Sequence, residues 1–166
     1  MPILMPYRVF DSVRDLTLEQ LAQLDIRGLI IDVDNTLTPP NAMQPSDGVT
    51  QWLCMLHQND VRVVLLSNNS HTRVEPFAKK LGLPFLANAL KPLPFGIHRA
   101  LKLMQLPKSQ VAVLGDQIFT DIAGANLSGI RGILVKPVHE KETAFFRFKR
   151  RLEQPAIDRY YRKKDV

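Results

Sequence analysis

The chain has 166 residues, 45% of them hydrophobic and 23% charged, with one cysteine and a net charge of +6. That length suits one domain with a core that needs no staple, and the single Cys54 excludes a disulfide framework or a cysteine-rich zinc site and points to a reducing, cytoplasmic interior. The opening Met1-Pro2-Ile3-Leu4-Met5-Pro6 is too short and too broken by proline for a signal peptide, and no apolar run reaches bilayer length, so we expect a soluble protein, at most peripheral on the inner face of a membrane.

Residues 1 to 27 form a lead-in, with a short helix over Thr17–Leu24 whose leucines at 18, 21 and 24 make an apolar stripe for one edge of a sheet. Leu29, Ile30 and Ile31, after Gly28, have the unbroken apolar character of a strand buried on both faces, which belongs to a parallel α/β sheet. The strand runs into Asp32-Val33-Asp34-Asn35-Thr36. Two carboxylates there would lie at the carboxyl edge, where open α/β sheets bind ligands, and they repel each other unless a cation sits between them. A hard dication with oxygen ligands, Mg²⁺, answers that need. The competing explanation is that Asp32, Asp34 and Asn35 merely turn the chain.

Pro39-Pro40-Asn41 makes a rigid loop, and Ser46 is the expected N-cap of a helix reaching about Gln58, with Val49, Trp52, Leu53 and Leu56 as its buried face. Val61–Leu66 predicts a second strand, ending in Ser67-Asn68-Asn69-Ser70. A hydroxyl and two amides before a helix N-terminus suit a phosphate, although the same residue types cap helices everywhere. Thr72 and Glu75 predict a capping box for the next helix, with Pro76 in its first turn and Gly82 at its end. Phe85-Leu86-Ala87 is a third short strand. Lys91 then sits in the proline-stiffened loop Leu90-Lys91-Pro92-Leu93-Pro94, before a helix carrying Ile97, Ala100, Leu101 and Met104. Such a loop aims an ammonium group with little freedom, while a lone loop lysine is commonly just solvated.

Val111–Leu114 predicts another buried strand, followed at once by Gly115-Asp116-Gln117-Ile118-Phe119-Thr120-Asp121, a second apolar strand with carboxylates at its end. Asp121 precedes a helix of small residues, which it or Thr120 could simply cap, as Asp116 could simply turn the chain. Gly132–Val135 supplies a fifth strand. Residues 1 to 135 carry 12 Lys/Arg against 11 Asp/Glu, and residues 136 to 166 carry 10 against 5, so nearly all the excess charge lies at the end. Phe145-Phe146-Arg147-Phe148-Lys149-Arg150-Arg151-Leu152 has the composition of a segment lying on anionic lipid; the alternative is a helix that packs its phenylalanines on the sheet and leaves its cations solvated. Pro155 is expected to break that helix, leaving Tyr160-Tyr161-Arg162-Lys163-Lys164 as a frayed end. The expected organisation is one domain over 1–141 and a basic aromatic tail over 142–166.

Strands alternating with helices imply right-handed crossovers and a mostly parallel sheet, here a three-layer, Rossmann-like α/β sandwich of about five strands. Asp32, Asp34, Ser67, Lys91, Asp116 and Asp121 then all issue from one edge, and one site accounts for them together. With DVDNT at 32 to 36, an apolar strand ending in Ser67, Lys91, and GDQIFTD at 115 to 121 in that order, the chain closely resembles the haloacid dehalogenase superfamily of phosphatases. The resemblance implies a Mg²⁺-dependent phosphomonoester hydrolase working through an aspartyl-phosphate. Asp32 would be the nucleophile and Asp34 the general acid/base, with Ser67, Asn68 and Lys91 on the phosphoryl group. Asp116 would ligate the metal with Asp32 and the Asp34 backbone carbonyl, Asp121 would orient Lys91 or the metal's waters, and Thr36 would support them.

Only 32 residues separate Asp34 from Ser67 and 23 separate Ser67 from Lys91, lengths that the assigned elements use up. No lid (cap) domain fits, so the site should be open to a bulky or surface-bound phosphate, or covered by a neighbouring subunit. The details DVDNTL, SNN, KP and GDQIFTDI, with the lead-in and basic tail, look most like a lidless subclass III group related to phosphatidylglycerophosphate phosphatases, over about Val9 to Arg151. That implies a lipid phosphate as substrate and an anionic membrane surface as partner of the tail. The alternatives are a phosphatase of a soluble sugar or nucleotide monophosphate and, from another class, a non-enzymatic phosphoacceptor module. Asp34 argues against the module, which lacks a carboxylate two residues after its acceptor. No nucleic-acid partner is expected, because no aromatic-basic interleaving lies near the site; the oligomeric state stays open.

Overall fold

A computed structural model describes residues 2–139 and 143–164. Along the chain run β1 (Arg8–Phe10), α1 (Leu18–Gln23), β2 (Gly28–Ile31), α2 (Val49–Gln58), β3 (Arg62–Leu66), α3 (His71–Leu81), β4 (Phe85–Leu86), α4 (Phe95–Met104), β5 (Val111–Gly115), α5 (Ala123–Leu127), β6 (Arg131–Val135) and α6 (Ala144–Lys164). All six strands pair in parallel, in the order β1-β6-β5-β2-β3-β4.

Every residue of β2 is buried, as its apolar run requires of a strand covered on both faces. Ile31 lies opposite Leu65 on β3 and Leu114 on β5. Because strand side chains alternate, Leu29 and Ile31 face one side and Ile30 the other. The first face joins Leu65, Leu114 and Ile133 to Trp52, Leu56, Val74 and Phe77 from α2 and α3. The second joins Ile30, Val64 and Val113 to Ile97, Ala100 and Met104 from α4. Helices on both faces of one parallel sheet make the expected three-layer sandwich. The chain winds outward from β2 to β4, then returns to β5 and β6 on the other flank. That reversal opens a crevice at the carboxyl ends of β2 and β5, where open parallel sheets hold their ligands.

A loop over 32–48 joins β2 to α2, and only α3 and β4 intervene between β3 and the Lys91 loop. Among the described residues, therefore, no cap domain interrupts the fold, and no helix is long and apolar enough to cross a membrane.

The local structure departs from expectation at several points. The sheet has six strands: Arg8–Phe10, three residues that pair in parallel with Ile133–Val135 of β6, forms an edge strand that local pattern does not reveal. The N-cap of α2 is Gly48 at φ 79°, not Ser46, because the chain makes one further turn before the helix starts. Ser70, not Thr72, caps α3, and Glu75 pairs with His71 at 3.2 Å and Lys79 at 2.8 Å along the helix face instead of closing a capping box. Pro76 lies in the second turn of α3 and Pro155 in the middle of α6, and neither helix breaks. Both prolines are exposed, so water can solvate the carbonyl each leaves without a partner.

Helix α6 differs most. Ala156 and Ile157 pack with Ile118, Ile122, Leu134 and Val9 on the α4 side of the sheet, and Tyr160 is buried, so the end is not frayed there. Phe145 and Phe148 are 70% and 61% exposed, which corrects the alternative in which the phenylalanines pack on the sheet. The boundary drawn at 141/142 falls outside the described residues.

Candidate active site

Asp32 follows β2 and donates its N–H to Leu114 O at 2.9 Å, keeping the β2–β5 pairing for one more step. The chain then turns back through Asn35, at φ 63°, in the left-handed region that Asn tolerates well. The Asn35 N–H donates to Thr38 O at 2.8 Å. The turn brings the Thr36 hydroxyl to 3.2 Å from Asp32 Oδ2 and 3.3 Å from Asp116 Oδ1. One hydroxyl proton thus serves two carboxylates from two strand ends.

From the other side Lys91 reaches the same point. Its loop is held to the end of β3 by a reciprocal amide pair: Lys91 N–H donates to Asn68 Oδ1 at 2.7 Å, and Asn68 Nδ2 donates to Lys91 O at 3.1 Å. The Asn68 side-chain amide is therefore engaged in shaping the lysine loop. Lys91 Nζ, buried, donates to Asp32 Oδ1 at 2.7 Å and Asp121 Oδ1 at 2.6 Å. Asp121 arrives by a π-helical turn, Ile118–Ile122, between β5 and α5, a distortion common at functional sites. Its other oxygen accepts from Gln117 N–H at 3.1 Å. Only glycine admits this fold-back, since a Cβ on Gly115 would stand 2.3 Å from the Asp121 carboxylate. Ser67, buried at the end of β3, accepts from Asn69 N–H at 3.0 Å.

Oxygens of Asp32, Asp116 and Asp121 lie within 4.8 Å of one another, all buried. Crowding three carboxylates out of water has a clear electrostatic signature. Burial pushes the Asp32 carboxyl up to about 6, with Lys91 opposing the rise and Asp121 adding to it. Burial likewise holds Asp116 well above the usual carboxylate range, reinforced by Asp32 and Asp121 and opposed by Arg150. Burial alone would lower the Lys91 ammonium, but Asp121 and Asp32 more than reverse that, so its pKa is raised. The centre therefore holds one firmly protonated lysine among carboxylates that are short of positive charge. Its donors are all hard oxygens, the set a Mg²⁺ ion takes.

Asp34 stands apart from this cluster, at the rim. Its Oδ1 accepts from Arg73 Nη2 at 2.8 Å and from Asn41 N–H at 2.9 Å, and its Oδ2 from Asn69 Nδ2 at 2.7 Å. Arg73 also donates to Ala42 O at 2.8 Å. A cleft of about 550 Å³ joins Asp34 to Asp32, Ser67 and Lys91, with Phe145, Phe146 and Lys149 of α6 on its far wall.

The C-terminal helix reaches into the cluster as well. Arg150 donates to the carboxylate of Asp116 and to its backbone carbonyl. Glu153, one turn on, accepts from Arg150 Nη1 at 3.4 Å and from Phe119 N–H at 3.2 Å. Lys149 Nζ donates to Gln117 Oε1 at 2.5 Å.

Of the residues expected at one site, Asp32, Thr36, Ser67, Lys91, Asp116 and Asp121 converge, Asp34 borders them, and Asn68 supports the lysine. Arg73, Arg150 and Glu153 did not stand out as site residues in the sequence, and Asn69, expected among the phosphate donors, gives its side-chain amide to Asp34. Nothing in the pattern around Arg73 signals its role. A lone Glu153 three residues after Arg150, in an otherwise basic run, is a signal that was available.

Comparison with known proteins agrees with this arrangement. The profile of the haloacid dehalogenase-like hydrolases matches residues 41–129, which include Ser67, Lys91, Asp116 and Asp121. The chain is 32% identical over 159 residues to "Probable phosphatase YqeG" of Bacillus subtilis, covering 96% of this chain and 92% of that one. It is 24% identical over 169 residues to phosphatidylglycerophosphate phosphatase 1, chloroplastic/mitochondrial, of Arabidopsis thaliana, where it spans 96% of this chain but only 49% of the plant protein. Among solved structures, the cobalt-bound deoxy-D-mannose-octulosonate 8-phosphate phosphatase of Haemophilus influenzae superposes with a TM-score of 0.53 at 18% identity, over 82% of this chain and 90% of that one, a likeness of fold. With two carboxylate-bearing strand ends meeting at a buried lysine in this fold, and with that profile and that bacterial relative, the chain belongs to the haloacid dehalogenase-like hydrolases.

Proposed function

We propose that this hydrolase is a Mg²⁺-dependent phosphatase that works through an aspartyl-phosphate on Asp32, and that its substrate is a lipid phosphomonoester of the phosphatidylglycerophosphate kind. The observation that carries the mechanism is the buried Lys91 bridging Asp32 and Asp121, with Asp116 inside the same cluster. Three buried carboxylates against one lysine and one guanidinium leave room, in charge and in donor chemistry, for a hard dication. Asp32 and Asp116, with the Asp34 backbone carbonyl, would hold Mg²⁺. When bound, it would draw negative charge from the phosphoryl oxygens and so reduce their repulsion of the attacking carboxylate.

The chain's own groups do the rest. Lys91 and Ser67 hold the phosphoryl oxygens while an Asp32 oxygen attacks phosphorus, and the bond from phosphorus to the leaving oxygen breaks. Asp34 gives its proton to that leaving oxygen. A water then attacks phosphorus, the Asp32–phosphorus bond breaks, and Asp34 recovers a proton from the water, which restores the enzyme and releases phosphate. Arg73, Asn69 and the Asn41 N–H fix the Asp34 carboxylate at the mouth of the cleft, where an alcohol departs, and favour its ionised form, which suits the base half of the role.

Three observations favour a lipid substrate. Among the described residues no cap covers the cleft, which is walled by Phe145 and Phe146. Exposed Phe145, Phe148 and Leu152 alternate with Arg147 and Arg151 next to its mouth, the mixture that lies on anionic lipid, so the protein would act as a peripheral partner of such a surface. Relatives from Arabidopsis thaliana, Chlamydomonas reinhardtii and Schizosaccharomyces pombe carry phosphatidylglycerophosphate phosphatase names.

The test is phosphate release, with Mg²⁺ or with chelator, from phosphatidylglycerophosphate in mixed micelles and from soluble sugar and nucleotide monophosphates. Mg²⁺-dependent hydrolysis with a higher kcat/KM on the lipid is the expected result. Preference for a soluble phosphate refutes the substrate, and full activity in chelator refutes the mechanism. Flotation with anionic liposomes of the intact protein and of a Phe145→Asp/Phe148→Asp variant tests the surface; equal recovery refutes it.

A further inference from the structure

Helix α6 lies outside the stretch that the family profile matches, yet it delivers a charged group to the acidic cluster. Arg150 binds the carboxylate and the backbone carbonyl of Asp116, so one planar guanidinium grips that residue at two places. Its anchor is Glu153, only 1% exposed, which takes both Arg150 Nη1 and Phe119 N–H. A carboxylate buried that deeply is costly unless charges and hydrogen bonds answer it, and an ordinary surface latch has no need of one. The free side of Asp116 is defined too, since Oδ1 accepts from Thr36 Oγ1 at 3.3 Å.

We propose that Arg150 is the positioning residue for Asp116, with Glu153 holding the guanidinium in turn, and that the C-terminal helix thereby completes the catalytic site. The proposal rests on reading Asp116 as a Mg²⁺ ligand. A rigid fork fixes the carboxylate's rotation, commits one oxygen to Arg150 and leaves the other for the cation. A lysine ammonium is a point charge on a flexible stem and cannot fix that rotation, so lysine does not replace arginine here even though the charge is kept.

The experiment uses the full chain and three variants: Arg150→Lys, Glu153→Gln, and Ile157→Ala, which loosens α6 without touching the fork. Mg²⁺ dissociation constants come from calorimetry, turnover from p-nitrophenyl phosphate at saturating Mg²⁺, and the state of α6 from amide hydrogen exchange. Arg150→Lys is expected to weaken Mg²⁺ binding about 10- to 100-fold and to lower kcat more than it raises KM, with α6 as protected as in the unchanged protein. Glu153→Gln moves both in the same direction by less, and Ile157→Ala stays closer to the unchanged protein in Mg²⁺ affinity than Arg150→Lys does. Unaltered Mg²⁺ binding in Arg150→Lys overturns the proposal. So does an equal loss in Ile157→Ala, the mark of a latch in which the fork plays no part. The calorimetry does not depend on turnover, so a protein that binds Mg²⁺ and hydrolyses nothing would count against the phosphatase mechanism and leave the positioning role standing.

Discussion

Replacing Lys91 by Met removes the one ammonium that bridges Asp32 and Asp121 while nearly keeping the side chain's length. Lys91 makes two charge-assisted bonds, at 2.7 and 2.6 Å, and its side chain is 3% exposed, so water cannot take its place. Breaking a buried pair by removing one partner costs about 3 to 5 kcal/mol, much of it the charge left behind. Against a total stability of about 5 to 15 kcal/mol for such a domain, the variant should fold but be marginal. The cost must also depend on pH. Lys91 opposes the rise of Asp32, so without it the folded-state pKa of Asp32 climbs further above its unfolded value. A carboxyl raised in the fold loses stability as pH increases through that interval, so the Lys91→Met deficit is larger at pH 8 than at pH 5, where protons replace the ammonium. Urea unfolding in chelator at both pH values measures it. A deficit under about 1 kcal/mol, or one equal at the two pH values, would refute the reasoning that Lys91 neutralises a buried acidic cluster.

Asp34→Asn is expected to reduce phosphate release at least about 100-fold on an alkyl phosphate, with Mg²⁺ affinity by calorimetry kept within about threefold, because only a proton carrier is lost. In the metal-free protein both proposed ligands are raised, Asp32 to about 6 and Asp116 well above the usual carboxylate range, so Mg²⁺ must displace protons in acid; its apparent affinity should fall as pH drops from 7 to 5. Gly115→Ala places a Cβ against the Asp121 carboxylate, and should lower both the thermal midpoint and turnover, whereas Gly82→Ala, at φ 66° with open space around it, should affect stability alone. Saturating Mg²⁺ at about 100 times its dissociation constant should stabilise the protein by about 2.7 kcal/mol in urea unfolding, and a chelator should remove that gain.

The acidic centre was legible because its residues obey a local rule three times over: an apolar run ends and a polar side chain follows at the sheet's carboxyl edge. Asp32 and Ser67 sit one step past such a run and Asp116 two, after Gly115, and Lys91 precedes α4 in a loop whose prolines mark it. Three things were hidden for one shared reason, that their determinants lie far apart in sequence. Arg8–Phe10 becomes a strand only through β6, whose paired residues lie 125 positions on. Arg73 gains its role only because the loop after β2 folds Asp34 toward α3. The composition of the tail said aromatic and basic, but which face turns inward is decided by Glu153 and Arg150 meeting Phe119 and Asp116. Pro155 misled in the other direction, since local propensity is overridden where the helix face is wet and the opposite face is packed.

The most direct measurement is to quench turnover in acid and locate the phosphoryl group by peptide mass spectrometry, in the unchanged protein and in Asp34→Asn. With p-nitrophenyl phosphate, whose leaving oxygen departs without an acid, the account predicts a phosphorylated peptide whose modified residue is Asp32, with more of it in Asp34→Asn because its hydrolysis is slowed. A phosphoryl group found on another residue, or steady turnover with no labelled Asp32 in either protein, would contradict it.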